Sequence, residues 1–151
     1  MDTNESLSCV LIPAASTMLL LPNVTIAEVV DLYAIEAAED GPEWLSGELE
    51  WRGLTLPVVS YNAANGGERI IPSGVRGRIA VLNTIGDSHS AAPFMALLTQ
   101  GIPSQIKLQP DQIRQREASD LGPADLMAVE IEGEDAVIPN LEFLESLAAP
   151  A

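Results

Sequence analysis

Apolar residues in this chain come in short runs separated by glycine and proline, eleven of each. Within the runs Val, Ile and Leu tend to alternate with polar residues instead of recurring every three or four positions, and a period of two belongs to strands. The clearest case is 48–61. Leu49 and Trp51 alternate with Glu48 and Glu50; Leu54, Leu56 and Val58 then alternate with Thr55, Pro57 and Val59. The apolar parity changes from odd to even across Arg52-Gly53. A strand cannot change face without a turn or a bulge, so the slip places Arg52 at the apex of a hairpin.

The same reading covers the rest of the chain. Residues 8–13 and 18–21 are expected to form a first hairpin, and 23–31 reads as a helical turn followed by a strand. Residues 62–73, with Asn65-Gly66-Gly67 and Pro72, are expected to be a surface loop. Strands are expected at 78–85 and 93–100; 94–98 is continuously apolar, as in a strand buried on both faces. Residues 104–108 are expected to pair nearby, 110–113 to form a short helical turn, and 114–123 to be another loop carrying Arg116 as an uninvolved cation. Residues 126–132 alternate, turn through Gly133-Glu134-Asp135 and return as 136–139. Asn140 then offers an N-cap, with Glu142 in the first turn and Leu141, Leu144 and Leu147 at helical spacing up to Ala148. The sum is eight to ten short strands and one terminal helix. With no repeat, heptad run or low-complexity linker, the expectation is one domain over 8–148 between flexible ends at 1–7 and 149–151.

Charge narrows the function. The 151 residues carry 22 Asp/Glu against 7 Lys/Arg, a net charge of −15. Nucleic-acid binding needs clustered Lys/Arg to displace counterions from phosphates, and anionic membranes need the same, so neither is an expected partner. Hydrophobic residues at 47% suffice for a packed core, whereas an aromatic content of 4% leaves aliphatic side chains to build it. The start, Met1-Asp2-Thr3-Asn4-Glu5-Ser6, is acidic where a secretory signal is basic. The most apolar stretch, 9–21, is broken by Pro13, Ser16 and Thr17 and falls short of the roughly 20 residues that cross a bilayer. The expectation is a cytoplasmic protein without membrane insertion.

No catalytic constellation is visible. His89, the single histidine, lies in the polar stretch Gly86-Asp87-Ser88-His89-Ser90, without a Gly-x-Ser-x-Gly elbow anywhere. Cys9, the single cysteine, excludes an internal disulfide and reads as an inert core thiol. Glu130, Glu132, Glu134 and Asp135 straddle a predicted hairpin, the first two on its solvent face and the last two in its turn, unlike a calcium loop. Gly74-Val75-Arg76-Gly77-Arg78 reads as a solvated strand entrance, and no phosphate loop is present. No catalytic residue, metal or cofactor is therefore expected. Binding is the better class, an acidic β-barrel interaction module being one form of it, with a small hydrolase as the enzyme alternative. Arg52, beside Trp51, is either a plain turn residue or a recognition residue, since Arg next to an aromatic is the kind of pair that anchors interfaces.

The order of these segments resembles the CheW-like chemotaxis coupling family, including the CheW-like domain that ends the kinase CheA. Residues 44–59, Trp-Leu-Ser-Gly-Glu-Leu-Glu-Trp-Arg-Gly-Leu-Thr-Leu-Pro-Val-Val, resemble the family's Gly-x-x-Asn-Leu-Arg-Gly-x-x-x-Pro-Val-Ile/Val pattern. Glu28-Val29, Gly101-Ile102 followed by 106–113, and 133–141 are similar to its other landmarks. The resemblance implies two small five-stranded β-barrels packed together with a short C-terminal helix. It also implies a non-catalytic adaptor that joins a methyl-accepting chemoreceptor, at a groove between the barrels, to a CheA-like histidine kinase, at barrel ends. Partner-binding positions carried over are Arg52, Gly53, Trp51, Gly47, Ile26, Glu28 and Ile102. The chain departs from the pattern at Glu50-Trp51, Ser60 and Gln100. Its Trp-Arg-Gly resembles auxiliary members from pilus-associated (twitching) chemosensory systems.

Overall fold

A strand that is apolar on both faces has to sit between two packed layers, and several strands here do. The structure, a computed structural model, describes residues 6–14, 17–32, 35–37, 40–68, 77–84 and 93–148. Its strands are β1 (Leu7–Ala14), β2 (Thr17–Pro22), β3 (Ile26–Asp31), β4 (Ile35–Ala37), β5 (Leu45–Trp51), β6 (Leu54–Val59), β7 (Arg78–Asn83), β8 (Phe94–Thr99), β9 (Ser104–Leu108), β10 (Ile113–Gln115), β11 (Asp125–Ile131) and β12 (Glu134–Pro139). Helix α1 (Tyr61–Ala64) follows β6, and α2 (Leu141–Ala148) follows β12.

Two six-stranded sheets result, ordered β10-β11-β12-β2-β1-β9 and β3-β7-β8-β6-β5-β4. The two edge strands of each sheet are neighbours in sequence: 109–112 separate β9 from β10, and 32–34 separate β3 from β4. Strands at opposite edges can lie so close in sequence only if the sheet curls. In the second sheet Trp51 of β5 donates to Glu28 of β3 at 3.0 Å, although a flat sheet would hold those strands about 19 Å apart, at ~4.8 Å per step. The two curled sheets approximate the two five-stranded barrels expected, with six strands each and twelve described segments instead of eight to ten.

Alternation sorts the apolar residues into three layers. Cys9, Leu20, Leu108, Val129, Ile131 and Ala136 fill the first barrel. Leu49, Trp51, Leu56, Val58, Ile79, Val81, Ala96 and Leu98 fill the second. Their strand neighbours Val10, Leu19, Leu21 and Val137 on one side, and Val59, Ala80, Leu82, Met95 and Leu97 on the other, meet in a shared core between the barrels. The Asn140 side chain caps α2 by accepting from the Phe143 N–H at 3.1 Å, and Leu144 enters the shared core fully buried.

Four local expectations change. Residues 104–108 do not pair nearby: β9 pairs antiparallel with β1, from Leu7 opposite Leu108 to Leu11 opposite Ser104, because the whole second barrel is inserted between β2 and β9. The 62–73 segment opens with helix α1, capped by the Ser60 hydroxyl; 69–73 lie outside the described residues. Residues 114–123 lose 114–115 to β10, which pairs with β11. The β11–β12 turn sits at Glu132-Gly133, where φ is +48° and +90°, so Glu134 and Asp135 belong to β12 and not to the turn.

A polar clamp ties α1 to the start of β11. The Tyr61 hydroxyl lies 2.7 Å from the Ala124 carbonyl and 2.5 Å from Asp125 Oδ1. Asn65 donates to Asp125 Oδ1 at 2.9 Å and accepts from the Ala124 N–H at 2.7 Å. Burial, aided by the hydrogen bond and the charge of Asp125, pushes the Tyr61 phenol far above its ordinary pKa.

Candidate partner-binding site

The β5–β6 hairpin positions the site. Trp51 pairs with Leu54 across a two-residue turn, and both turn residues have positive φ, +49° at Arg52 and +79° at Gly53. That is the hairpin turn whose twist matches the flanking strands, with glycine at the position least tolerant of a Cβ. The turn projects the Arg52 side chain outward, 69% exposed. The parity slip arises because the turn carries the chain onto the antiparallel partner strand.

The guanidinium does not float free. Its Cζ lies 4.6 Å from the centroid of the Trp51 ring, and Nη2 donates to Glu28 Oε1 at 3.1 Å. Trp51 itself is buried, and its Nε1–H donates to the same Oε1. On its other flank Trp51 meets Phe94 edge to face, with ring centroids 4.8 Å apart. A carboxylate that accepts from both an indole and a guanidinium is a charge-assisted junction, and it closes β3 against β5. Leu54, next after the turn, is 40% exposed.

The remaining predicted positions fall elsewhere. Ile26 starts β3, half-buried against the shared core, and a bulge separates its pairing from that of Glu28. Gly47 is buried: a Cβ there would lie 2.3 Å from the Glu36 carbonyl oxygen and 2.8 Å from Ile35, so its part is close packing of β4 on β5. Ile102 is half exposed, just beyond the end of β8 opposite to Phe94. The five steps from Phe94 to Thr99 span about 17 Å. Arg52, Trp51, Gly53 and Glu28 are thus brought together, with Ile26 close by on β3, whereas Ile102 marks a second place. There Gly101 packs on Pro13, and the Gln100 N–H donates to the Pro13 carbonyl at 2.8 Å.

Pattern reasoning missed an apolar cavity of about 440 Å³ at one end of the first barrel, lined by Leu7, Cys9, Leu20, Leu108, Ile113 and Ile138 among others. Burial raises the Cys9 thiol pKa, consistent with an inert residue. The acidic group on β11 and β12 is partly paired: Arg114 Nε donates to Glu130 at 2.8 Å, and Arg116 Nε lies 3.3 Å from Asp135. Arg116 is therefore not the uninvolved loop cation expected. No three His, Cys, Asp or Glu converge as metal ligands among the described residues. His89 and Arg76 lie outside the described residues.

The family model for the CheW-like domain matches residues 8–148. The chain belongs to the CheW-like domain family. Among solved structures, the scaffolding protein TtCheW from Thermoanaerobacter tengcongensis has a similar fold, with a TM-score of 0.73 at 18% identity, covering 93% of this chain and 88% of that one. No curated protein sequence is significantly similar. Proteins of the CheW-like family are scaffold adaptors, generally non-enzymatic. Among the described residues no helix is long and apolar enough to cross a membrane.

Proposed function

We propose that this chain is a non-catalytic adaptor coupling a chemoreceptor to a CheA-type histidine kinase inside the cell. The observation that carries this reading is the Arg52 apex: an exposed guanidinium held by Glu28 and Trp51 at a barrel end, at the position matching the family's arginine turn. A preset, exposed arginine suits a protein interface, where arginine is among the few residue types that carry most of the binding energy. The apolar cavity of the first barrel and the half-exposed Ile102 supply two further places for a partner. Service in a pilus-associated pathway is the finer form of the proposal, drawn from Trp51-Arg52-Gly53.

The test uses the full chain with purified CheA-type kinase and the cytoplasmic tip of a chemoreceptor from the same cell. Measurable affinity for both supports the adaptor; affinity for neither overturns it. Loss of twitching but not of swimming on deletion separates the pilus pathway from the flagellar one.

A further inference from the structure

Trp51 is an unusual occupant of its layer. Most of the second barrel is filled by aliphatic side chains, and a buried indole needs an acceptor for its N–H. That acceptor is Glu28 Oε1, the atom that also receives Arg52. Trp51 is only 6% exposed, so it offers a partner almost no surface of its own. Its ring instead covers one face of the guanidinium and its N–H fixes the carboxylate that holds Nη2. With one face stacked and one nitrogen tied, the planar donors left on Arg52 point into an exposed space. Among the described residues its hydrogen-bond and ion-pair partner is Glu28. A planar fork with free donors is matched bidentately by a carboxylate.

We propose that Trp51 is a positioning residue for Arg52, presetting the guanidinium by stacking and through Glu28 so that it receives a carboxylate of the protein partner. This rests on the adaptor reading. Ordering a long side chain before binding removes a cost otherwise met on association, worth about 2- to 10-fold in affinity for one such side chain.

The free protein reports the geometry. In NMR spectra of the full chain, the Arg52 δ-protons are expected to be shifted upfield by the indole ring current, and to return to ordinary positions in Trp51→Leu. Affinity for purified CheA-type kinase and for the receptor tip is then measured in a double-mutant cycle. Trp51→Leu is expected to weaken binding about tenfold and Trp51→Phe, which keeps a ring but loses the N–H, about threefold. In an Arg52→Ala background both effects should shrink below about twofold, because a residue acting through Arg52 has nothing left to position. Equal losses in both backgrounds, or Arg52 δ-protons at ordinary positions in the wild type, overturn the proposal. If Trp51→Leu does not fold, Trp51→Phe carries the same cycle. Failure of the wild type to bind either partner overturns the adaptor reading and this proposal with it, whereas binding with an additive cycle overturns this proposal alone.

Discussion

Arg52 occupies a backbone conformation that a side chain makes costly. Its φ of +49° lies in the left-handed region, where a Cβ costs about 1–2 kcal/mol relative to glycine. Glu132, at the corresponding place of the β11–β12 turn, has φ +48°, so strain alone does not mark a site; what distinguishes Arg52 is the Trp51–Glu28 cradle. Arg52→Gly is therefore expected to raise stability by up to ~1 kcal/mol in urea denaturation, the relief being offset by loss of a half-exposed ion pair worth about 0–1 kcal/mol, while partner binding falls. Glu132→Gly should give a comparable gain with binding unchanged. Equal binding by both variants would reduce Arg52 to a turn residue. Charge reversal sharpens the contrast. Arg52→Glu should lower stability by only about 1 kcal/mol, because a largely exposed pair with Glu28 gives way to two like charges, but should cost roughly 2–5 kcal/mol in binding if a buried interface pair is broken. Lys107→Glu is the control: Lys107 is exposed on β9, whereas Arg116, half-buried against Asp135, would confound the comparison.

Segments whose partners are close in sequence could be read from alternation alone. The β1–β2, β5–β6 and β11–β12 hairpins and the Asn140-capped α2 all follow that way, because strand period, turn residues and cap are local signals. The β1–β9 pairing could not be read, since nothing in 104–108 states that its partner lies about a hundred residues upstream. Helix α1 has four residues, too few for any helical period, and Gly47 gave no hint that its missing Cβ is what lets β4 approach. Gly47→Ala is expected to lose about 1–3 kcal/mol by overpacking, seen as an earlier melt; unchanged stability would free Gly47 for the partner-contact role suggested by the family pattern. The clamp on α1 has its own signature. Tyr61→Phe should cost about 1–2 kcal/mol near neutral pH. The folded phenol titrates above its ordinary value, so its proton is retained in the folded state where the unfolded state has lost it. The wild-type advantage over Tyr61→Phe should thus be constant below pH ~10 and decline above it by about 1.4 kcal/mol per unit. An advantage that grows with alkalinity would mean that the phenol is not clamped as described.

Taken together, the two barrels share more than a contact. The chain leaves the first barrel after β2, builds the second from β3 to β8, and returns as β9 to pair with the strand it started from. Neither barrel closes without the other: the first needs its termini brought together across the insertion, and one face of the second is covered by Val10, Leu19 and Leu21 of the first. This also explains why β8 reads as continuously apolar, with Ala96 and Leu98 inside its barrel and Met95 and Leu97 in the shared layer. Packed side chains of that layer, and not a hinge, connect one barrel to the other. The shared layer therefore predicts a single cooperative transition. Leu97, fully buried on β8 in that layer, is the residue to test: Leu97→Ala is expected to cost about 2–5 kcal/mol. Hydrogen exchange should then show amides of β7 in the second barrel and of β11 in the first losing protection by the same amount, since both open only with the whole molecule. If β7 amides lose protection while β11 amides keep theirs, the barrels unfold separately, and the shared core is a docking surface between two independent units.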